Sequence, residues 1–404
     1  MGMAGSRVRR VIGCGLALLW AALCLCWGGE QVLASGGTRY VAMDGMDAGN
    51  DCLAQALPCR SISRAISVAG EGDVIMVGAG VYDGPLVVKK SLTLRGSGPA
   101  LTQVRGNGSG HILEVCGGSA VTPVQVSVEE LRIGEGSATE GGGVWTSAEQ
   151  LTLRRVEISN NRGRDRGGGL FCQGGRVEGE MVILSGNDAP EGAGLFISAG
   201  CTFDLHESAI FQHNQSSGTV ITAGGVLALT NVSAGFNAGT ALKVLSGGQV
   251  NLNHVTLGWN GLEVDGVREV QVLAGGQARL ANTLVHHPDG MNCSGSAEEL
   301  TSLGYNLSDD DTCNFTAGGD LAGVDALLTG MEYNGGVTPT FALRRESPAV
   351  DAGDPLESTP WVDQRGKARR RDGNGDGVAR ADIGAFEFPI FEFMLPLVIR
   401  APGF

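Results

Sequence analysis

From about residue 150 the chain repeats one local pattern: a β-branched or small residue, an apolar residue two further on, and an Asn five further on. The five copies are Val156–Asn161, Val182–Asn187, Ala209–Asn214, Val232–Asn237 and Val255–Asn260, and their Asn positions are 26, 27, 23 and 23 residues apart. Gly- or Thr-led apolar pairs follow, as in Gly169-Leu170-Phe171, Gly194-Leu195-Phe196 and Thr219-Val220-Ile221. A less complete copy begins at Leu131 and reaches Gly143-Val144-Trp145.

A period in the twenties with several short strands per period predicts one turn of a coiled β-solenoid. Alternation within each strand sends one set of side chains inward, and stacking buries a column that no single turn could bury. An Asn at the same corner of each turn can bond its neighbours above and below. Leucine-rich and ankyrin arrays have similar periods, but the Leu frame and the helical phase are absent, and a propeller blade is longer.

Upstream, Ile62, Ala65, Ile66 and Ala69 share one helical face, with Ser61 as start signal and Gly70 as stop. Asp73–Val77, Pro85–Val88 and Ser91–Arg95 read as short strands between turns. A short amphipathic helix there would cover the open end of the apolar column.

Tyr40-Val-Ala, Cys52, Pro58-Cys59-Arg60, Gly72-Asp73-Val74-Ile75, Gly80-Val-Tyr82 and Leu92-Thr-Leu-Arg-Gly96 resemble the opening of the right-handed parallel β-helix proteins of the pectate-lyase-like superfamily. The Gly-Gly-Gly-apolar and Asn-ended segments are also similar to repeats of bacterial polymorphic outer-membrane proteins. Together these similarities span about residues 38–290. They imply an all-β, single right-handed parallel β-helix with a short N-terminal capping helix and an irregular C-terminal cap. The organisation expected is an entry and capping helix over 38–70, the β-helix over 71–299, a separate module over 300–388 and an apolar tail over 389–404.

The leading segment differs from the rest. Arg7, Arg9 and Arg10 precede an apolar run from Val11 to Trp27, and Val32-Leu33-Ala34 offers a small-residue cleavage pattern, so residues 1–34 read as a signal peptide. The run is near the lower limit for a membrane span. A lipoprotein reading of Cys24 and Cys26 meets Leu23 and Leu25 where a small residue is needed. Loss of Arg7, Arg9, Arg10 and Glu30 takes the net charge from −14 to −16. Such a surface disfavours nucleic acid and anionic lipid. The 66 Gly and 5% aromatic residues suit a thin stacked β architecture, while 42% hydrophobic residues argue against disorder.

An exported chain can oxidise its cysteines. Spacing suggests Cys52 with Cys59 and Cys293 with Cys313; Cys116, Cys172 and Cys201 read as small buried core residues.

From about residue 300 the texture changes. Leu303-Gly-Tyr-Asn-Leu307, Cys313, Asn334–Thr340, Ser347–Gly353, Asp363-Gln-Arg-Gly366 and Asp382–Glu387 follow in that order and closely resemble the choice-of-anchor Q module of secreted bacterial β-helix proteins. Phe393–Arg400 is similar to a short apolar sorting tail. The resemblance implies secretion or display at the cell surface, with the cell envelope or an extracellular glycan as partner; physically, the module could equally be a shield for the last turn. Within it, Asp372, Asn374 and Asp376 place oxygens at alternate positions with Gly377 for the turn, as Ca²⁺ loops do. Position twelve is Ile383, and the nearest carboxylate is Asp382. The segment is thus either a plain Asp/Gly turn or a distorted calcium site using Asp372, Asn374, Asp376 and Asp382.

No linear catalytic motif stands out. Hydrolysis of glycans needs two facing carboxylates, and lyase chemistry needs a Lys or Arg base beside Ca²⁺-binding carboxylates. The Asn-Thr-Asp, Asp-Asp, Gly-His-Gly and Arg-Ile-Lys series of polygalacturonases is missing. Asp309-Asp-Asp311 reads as a solvated loop, His286-His287 as a turn before Pro288, and His206, His213 and His254 have no ligand spacing. The primary expectation is a non-enzymatic structural or adhesive scaffold, with polysaccharide binding or cleavage as the alternative. An exposed aromatic row, or carboxylates converging with an Arg in a groove, would favour the alternative.

Overall fold

The computed structural model describes residues 36–117, 124–212, 217–262, 266–288, 291–356 and 360–389. The leader, Cys24, Cys26, His213, Asn214 and the tail from residue 390 lie outside the described residues.

The fold is an all-β parallel solenoid. Successive rungs pair in strict register: Gln150–Ser159 lies beside Gln125–Gly134, and Val226–Gly235 beside Gln249–Gly258. In other rungs the same stretch is split, as in Gly175–Glu180 and Ile183–Ser185. Among the described residues these strands make an 18-stranded sheet, faced by a nine-stranded sheet of shorter strands such as Val144–Thr146, Leu170–Cys172 and Leu195–Ser198. Alternation decides which residues point inward. The column Leu151, Val177, Phe203, Leu227, Val250, Ala278 follows the paired register, and every member is at most 1% exposed. Full burial of each larger side chain stabilises the stack by about 1.5–3 kcal/mol.

The Asn corner is present. Asn161, Asn187, Asn237 and Asn260 are all buried, and each Nδ2 donates to a carbonyl of the preceding rung, Ile133, Ile158, Ile210 and Ala234 respectively. The copy at Ala209 is one residue out of phase. Ala209 pairs with Ile183 and with Ser233, one position past Val182 and Val232 of the neighbouring copies. Glycines before the second sheet have a matching cause. A Cβ on Gly143 would meet Asn161 Nδ2 at 2.8 Å and the Gly169 carbonyl at 2.6 Å, so a bulkier residue would wedge the corner open.

The helix Ile62–Val68 forms as expected, with the Ser61 side chain accepting from Arg64 N and with Ile62, Ala65 and Ile66 buried. Its stop is different, since Ala69 in extended conformation is the C-cap. Parallel pairing begins before the helix, at Thr38–Val41, and continues past residue 300 through Leu321–Ala322. The change of texture at 300 therefore does not mark the end of the rungs.

Among the described residues three disulfides are present. Cys52–Cys59 and Cys293–Cys313 agree with their spacing, and Cys172–Cys201 corrects the reading of those two as free core residues. Cys172 ends a strand of the second sheet and Cys201 opens the next rung of the first, so the bridge ties the two sheets. Cys116 is the free thiol among the described residues.

The segment after Ala322 also departs from a simple end cap. Leu328–Glu332 and Thr340–Leu343 form an antiparallel pair, and the chain then folds back along the outer side of earlier rungs. Phe341 packs on Phe236 and Trp259, Asn231 Nδ2 donates to the Val362 carbonyl at 2.8 Å, and Ala385 N donates to Thr256 Oγ1 at 2.9 Å.

Candidate functional site

The long sheet bends once per rung. At that bend Glu130, Arg155, Met181, Glu207, Asn231, His254, Asn282 and Tyr305 all take positive φ, between 48° and 56°. Each non-Gly residue held there costs on the order of 1 kcal/mol, a cost that the stacked register imposes rung after rung. Just before the bend, alternation points Thr152, Arg154, Glu178, Glu180, His206 and Thr230 outward.

An open groove of about 400 Å³ lies over these columns. Thr152, Arg154, Glu178, Glu180, His206, Glu207, Thr230, Asn231 and Pro360 line it. Four successive rungs contribute, so the groove runs along the solenoid axis for roughly 14 Å, three strand spacings. Arg154 Nε is 3.4 Å from Glu180 Oε2. Next to it, Arg176 bridges Glu178 at 2.8 Å and Asp204 at 2.7 Å. Glu207 is the unusual member. Burial, then the charges of Glu180 and Asp363, push its carboxyl above the ordinary range. The groove therefore holds one carboxyl biased toward its protonated form and others engaged with Arg, the environmental split that acid–base pairs require.

One wall is supplied by the C-terminal segment. Thr338 Oγ1 donates to the Glu207 carbonyl at 2.9 Å, and Arg369 Nη2 donates to Asn231 Oδ1 at 2.7 Å. The motif blocks of this segment converge on one buried network. Asp363 accepts from Arg365, Lys367 and Glu387 backbone N–H groups, while Gln364 joins Thr338 and Pro339 and also meets Ser233 of the solenoid. Asp382 accepts from the Asp351 and Phe388 amides, and burial together with the nearby Glu387 charge pushes its carboxyl well up.

The proposed calcium ligands do not all meet. Asp372 accepts from the amides of Gly375, Asp376 and Gly377, Asn374 from Asp376 N, and Asp376 from Val378 N, so these three share one tight loop. Asp382 is turned into the buried network. No group of three or more His, Cys, Asp or Glu side chains among the described residues is arranged to hold a metal ion.

Asp309 and Asp310 are structural and not merely solvated. Asp309 Oδ2 is 3.0 Å from His286 Nδ1, and Asp310 accepts from the Asn292 and Thr312 amides, bracing the Cys293–Cys313 turn. His286 and His287 are both buried, and His286 lies edge-on to Trp259 at 4.6 Å. The aromatic row of the second sheet is buried as well. Phe171 and Phe196 stack at 5.6 Å, and Arg166 lies over Phe196.

Sequence reading missed Arg154, Glu178, Glu180 and Glu207 as a group and gave His206 no partner. Their signal is an outward position recurring at 154, 180, 206 and 230, visible once the repeats are aligned in strand register.

No protein-family model matches the chain, and no curated protein matches it. Among solved structures the chain is similar to pectate lyase Pel9A, with TM-score 0.48 and 14% identity over 89% of this chain and 98% of that one. It is also similar to the deglycosylated pectin methylesterase from Aspergillus niger, with TM-score 0.37 and 14% identity over 65% of this chain and 87% of that one. A third is alginate lyase from Paenibacillus sp., with TM-score 0.35 and 12% identity over 58% of this chain and 95% of that one.

Proposed function

We propose that this chain is an extracellular polysaccharide-active solenoid that binds a glycan along the groove and presents Glu207 as a proton donor to it. One observation carries the reading: an open groove where Glu207, with raised pKa, faces a neighbouring rung bearing Glu180 beside Arg154. In hydrolysis the Glu207 proton passes to the glycosidic oxygen as its bond to the anomeric carbon breaks. A water then adds to that carbon and gives its proton to Glu180. Three disulfides support an oxidising, extracellular setting. No helix among the described residues is long and apolar enough to cross a membrane. Attachment to the cell surface through the C-terminal segment is a separate proposal, resting on the resemblance of its motif blocks alone.

The test is incubation of the purified protein with soluble neutral glycans, polygalacturonate and alginate, measuring binding, new reducing ends and unsaturated products. Binding accompanied by new reducing ends, with cleavage lost and binding kept in Glu207→Gln, supports the proposal. Binding without cleavage removes the catalytic role of Glu207, and absence of binding to every glycan overturns the reading and restores the scaffold.

A further inference from the structure

Next to a groove-lining residue in the chain stands an aromatic side chain that packing leaves exposed. Trp361 is 67% exposed, yet it directly follows the groove-lining Pro360. Its backbone is held on the C-terminal side: the Trp361 carbonyl accepts from Arg369 N at 2.9 Å, and the Val362 carbonyl accepts from Asn231 Nδ2 at 2.8 Å. Asn231 is itself a groove residue and is gripped by the buried Arg369 guanidinium. A rigid main chain thus presents a large flat ring to solvent beside a polar cleft, leaving the ring's hydrophobic area uncovered.

We propose that Trp361 is the stacking platform of the groove and that the glycan it selects is a neutral pyranose polymer. This inference rests on the polysaccharide reading above and narrows it. A pyranose ring turns a face of C–H bonds, with slight positive character, toward the negative π face of an indole, while its hydroxyls stay free for polar partners. Those partners are in place along the cleft as Thr152, Glu178, His206 and Thr230. Charge disfavours the acidic alternative. Glu178, Glu180 and the neighbouring Asp204 outnumber Arg154 and Arg176, and the chain as a whole has net charge −14, so a polyuronate would meet repulsion along its length. The C-terminal segment, whatever else it does, then acts as a specificity element, because it alone brings this ring to the solenoid.

Wild type, Trp361→Ala and Trp361→Phe are to be titrated with soluble fragments of xylan, mannan and mixed-linkage β-glucan and with polygalacturonate, using calorimetry and tryptophan fluorescence. Melting curves of all three proteins report whether the segment stays docked. The expected result is binding of at least one neutral glycan with a change in Trp emission. Trp361→Ala should weaken it by about tenfold or more at unchanged melting temperature, with Trp361→Phe retaining most of it. If wild type binds a neutral glycan and Trp361→Ala binds equally well, the platform is wrong while the groove reading survives. Preference for polygalacturonate overturns the substrate class, and failure to bind any glycan removes both proposals. Concentration-dependent self-association abolished by Trp361→Ala, without any glycan effect of the substitution, assigns the ring to a second copy and overturns the platform.

Discussion

Asn187 Oδ1 lies 3.0 Å from both the backbone N and the side-chain Nδ2 of Asn161, one rung away, while its own Nδ2 reaches the Ile158 carbonyl at 2.9 Å. One amide thus satisfies three buried groups that the tight corner would leave without partners. Asn187→Ala should destabilise the protein by about 3–5 kcal/mol, since each stranded group costs about 1–3 kcal/mol. Urea unfolding gives the value directly; a loss below about 1 kcal/mol would show that the corner does not depend on this amide.

The ladder ends on a carboxyl. Glu269 is fully buried and accepts from both Asn260 N and Asn260 Nδ2, with burial pushing its pKa up to about 8. In the unfolded chain this group ionises near 4.5. The folded state therefore binds the extra proton between these values, so its contribution is fully present at low pH and is lost as pH rises toward about 8. Stability should fall across that window by several kcal/mol, at about 1.4 kcal/mol per pH unit. In Glu269→Gln this slope should become clearly shallower even though the variant is less stable overall, because one Gln NH₂ must face an Asn260 donor. An unchanged slope in the variant would assign the pH dependence to other groups.

Cys172–Cys201 closes a loop of 29 residues between the sheets. Replacing both by Ser should cost roughly 3–4 kcal/mol. Alkylation of the unreduced, unfolded protein followed by mass spectrometry should label Cys116 among the described cysteines. In the native state that thiol should react slowly, since burial first, and Glu114 next, raise its pKa. Rapid native labelling would contradict this.

Arg369 is the hinge of the C-terminal clasp. It reaches Asn231 on the solenoid and lies 3.5 Å from Glu387 in the buried network. Arg369→Met leaves the buried Glu387 carboxyl without that cation, which should cost on the order of 3–5 kcal/mol. Limited proteolysis should then cut within 323–389 faster than in wild type. Equal cutting rates would mean that the clasp is held by its apolar contacts alone.

The loop at Asp372 gives a calcium test. Its three oxygen-bearing side chains already hold their own amides, and the closing carboxylate Asp382 is committed elsewhere. Millimolar Ca²⁺ or EDTA should therefore shift the melting temperature by less than about 1 °C, the linkage expected when the ion stays below its Kd. A rise of several degrees, absent in Asp372→Ala, would establish a site.

The repeat was legible because everything that defines it is local: Asn161, Asn187, Asn237 and Asn260 recur with apolar partners a few residues away. The helix at Ile62 was legible for the same reason, through Ser61 and one apolar face. The frame slip at Ala209 was not, since a strand and its neighbour choose register through the whole buried column, which there counts from Ser208. Arg154, Glu180 and Glu207 look like scattered polar residues until that register makes them neighbours. The C-terminal blocks announced a module, but its lateral seat depends on contacts between residues as far as 138 positions apart, such as Ala385 with Thr256 and Arg369 with Asn231. No local pattern records such a contact.

A solenoid can ordinarily peel from its last rung, because each rung touches only the ones beside it. Here the chain beyond Ala322 turns back and fastens onto Asn231, Thr256 and Asn282, several rungs earlier. Fraying from that end must first release the clasp, and the clasp is seated on rungs that are still intact. The terminal third should consequently melt together with the centre in one step, and its amide protons should exchange at the rate of the middle rungs.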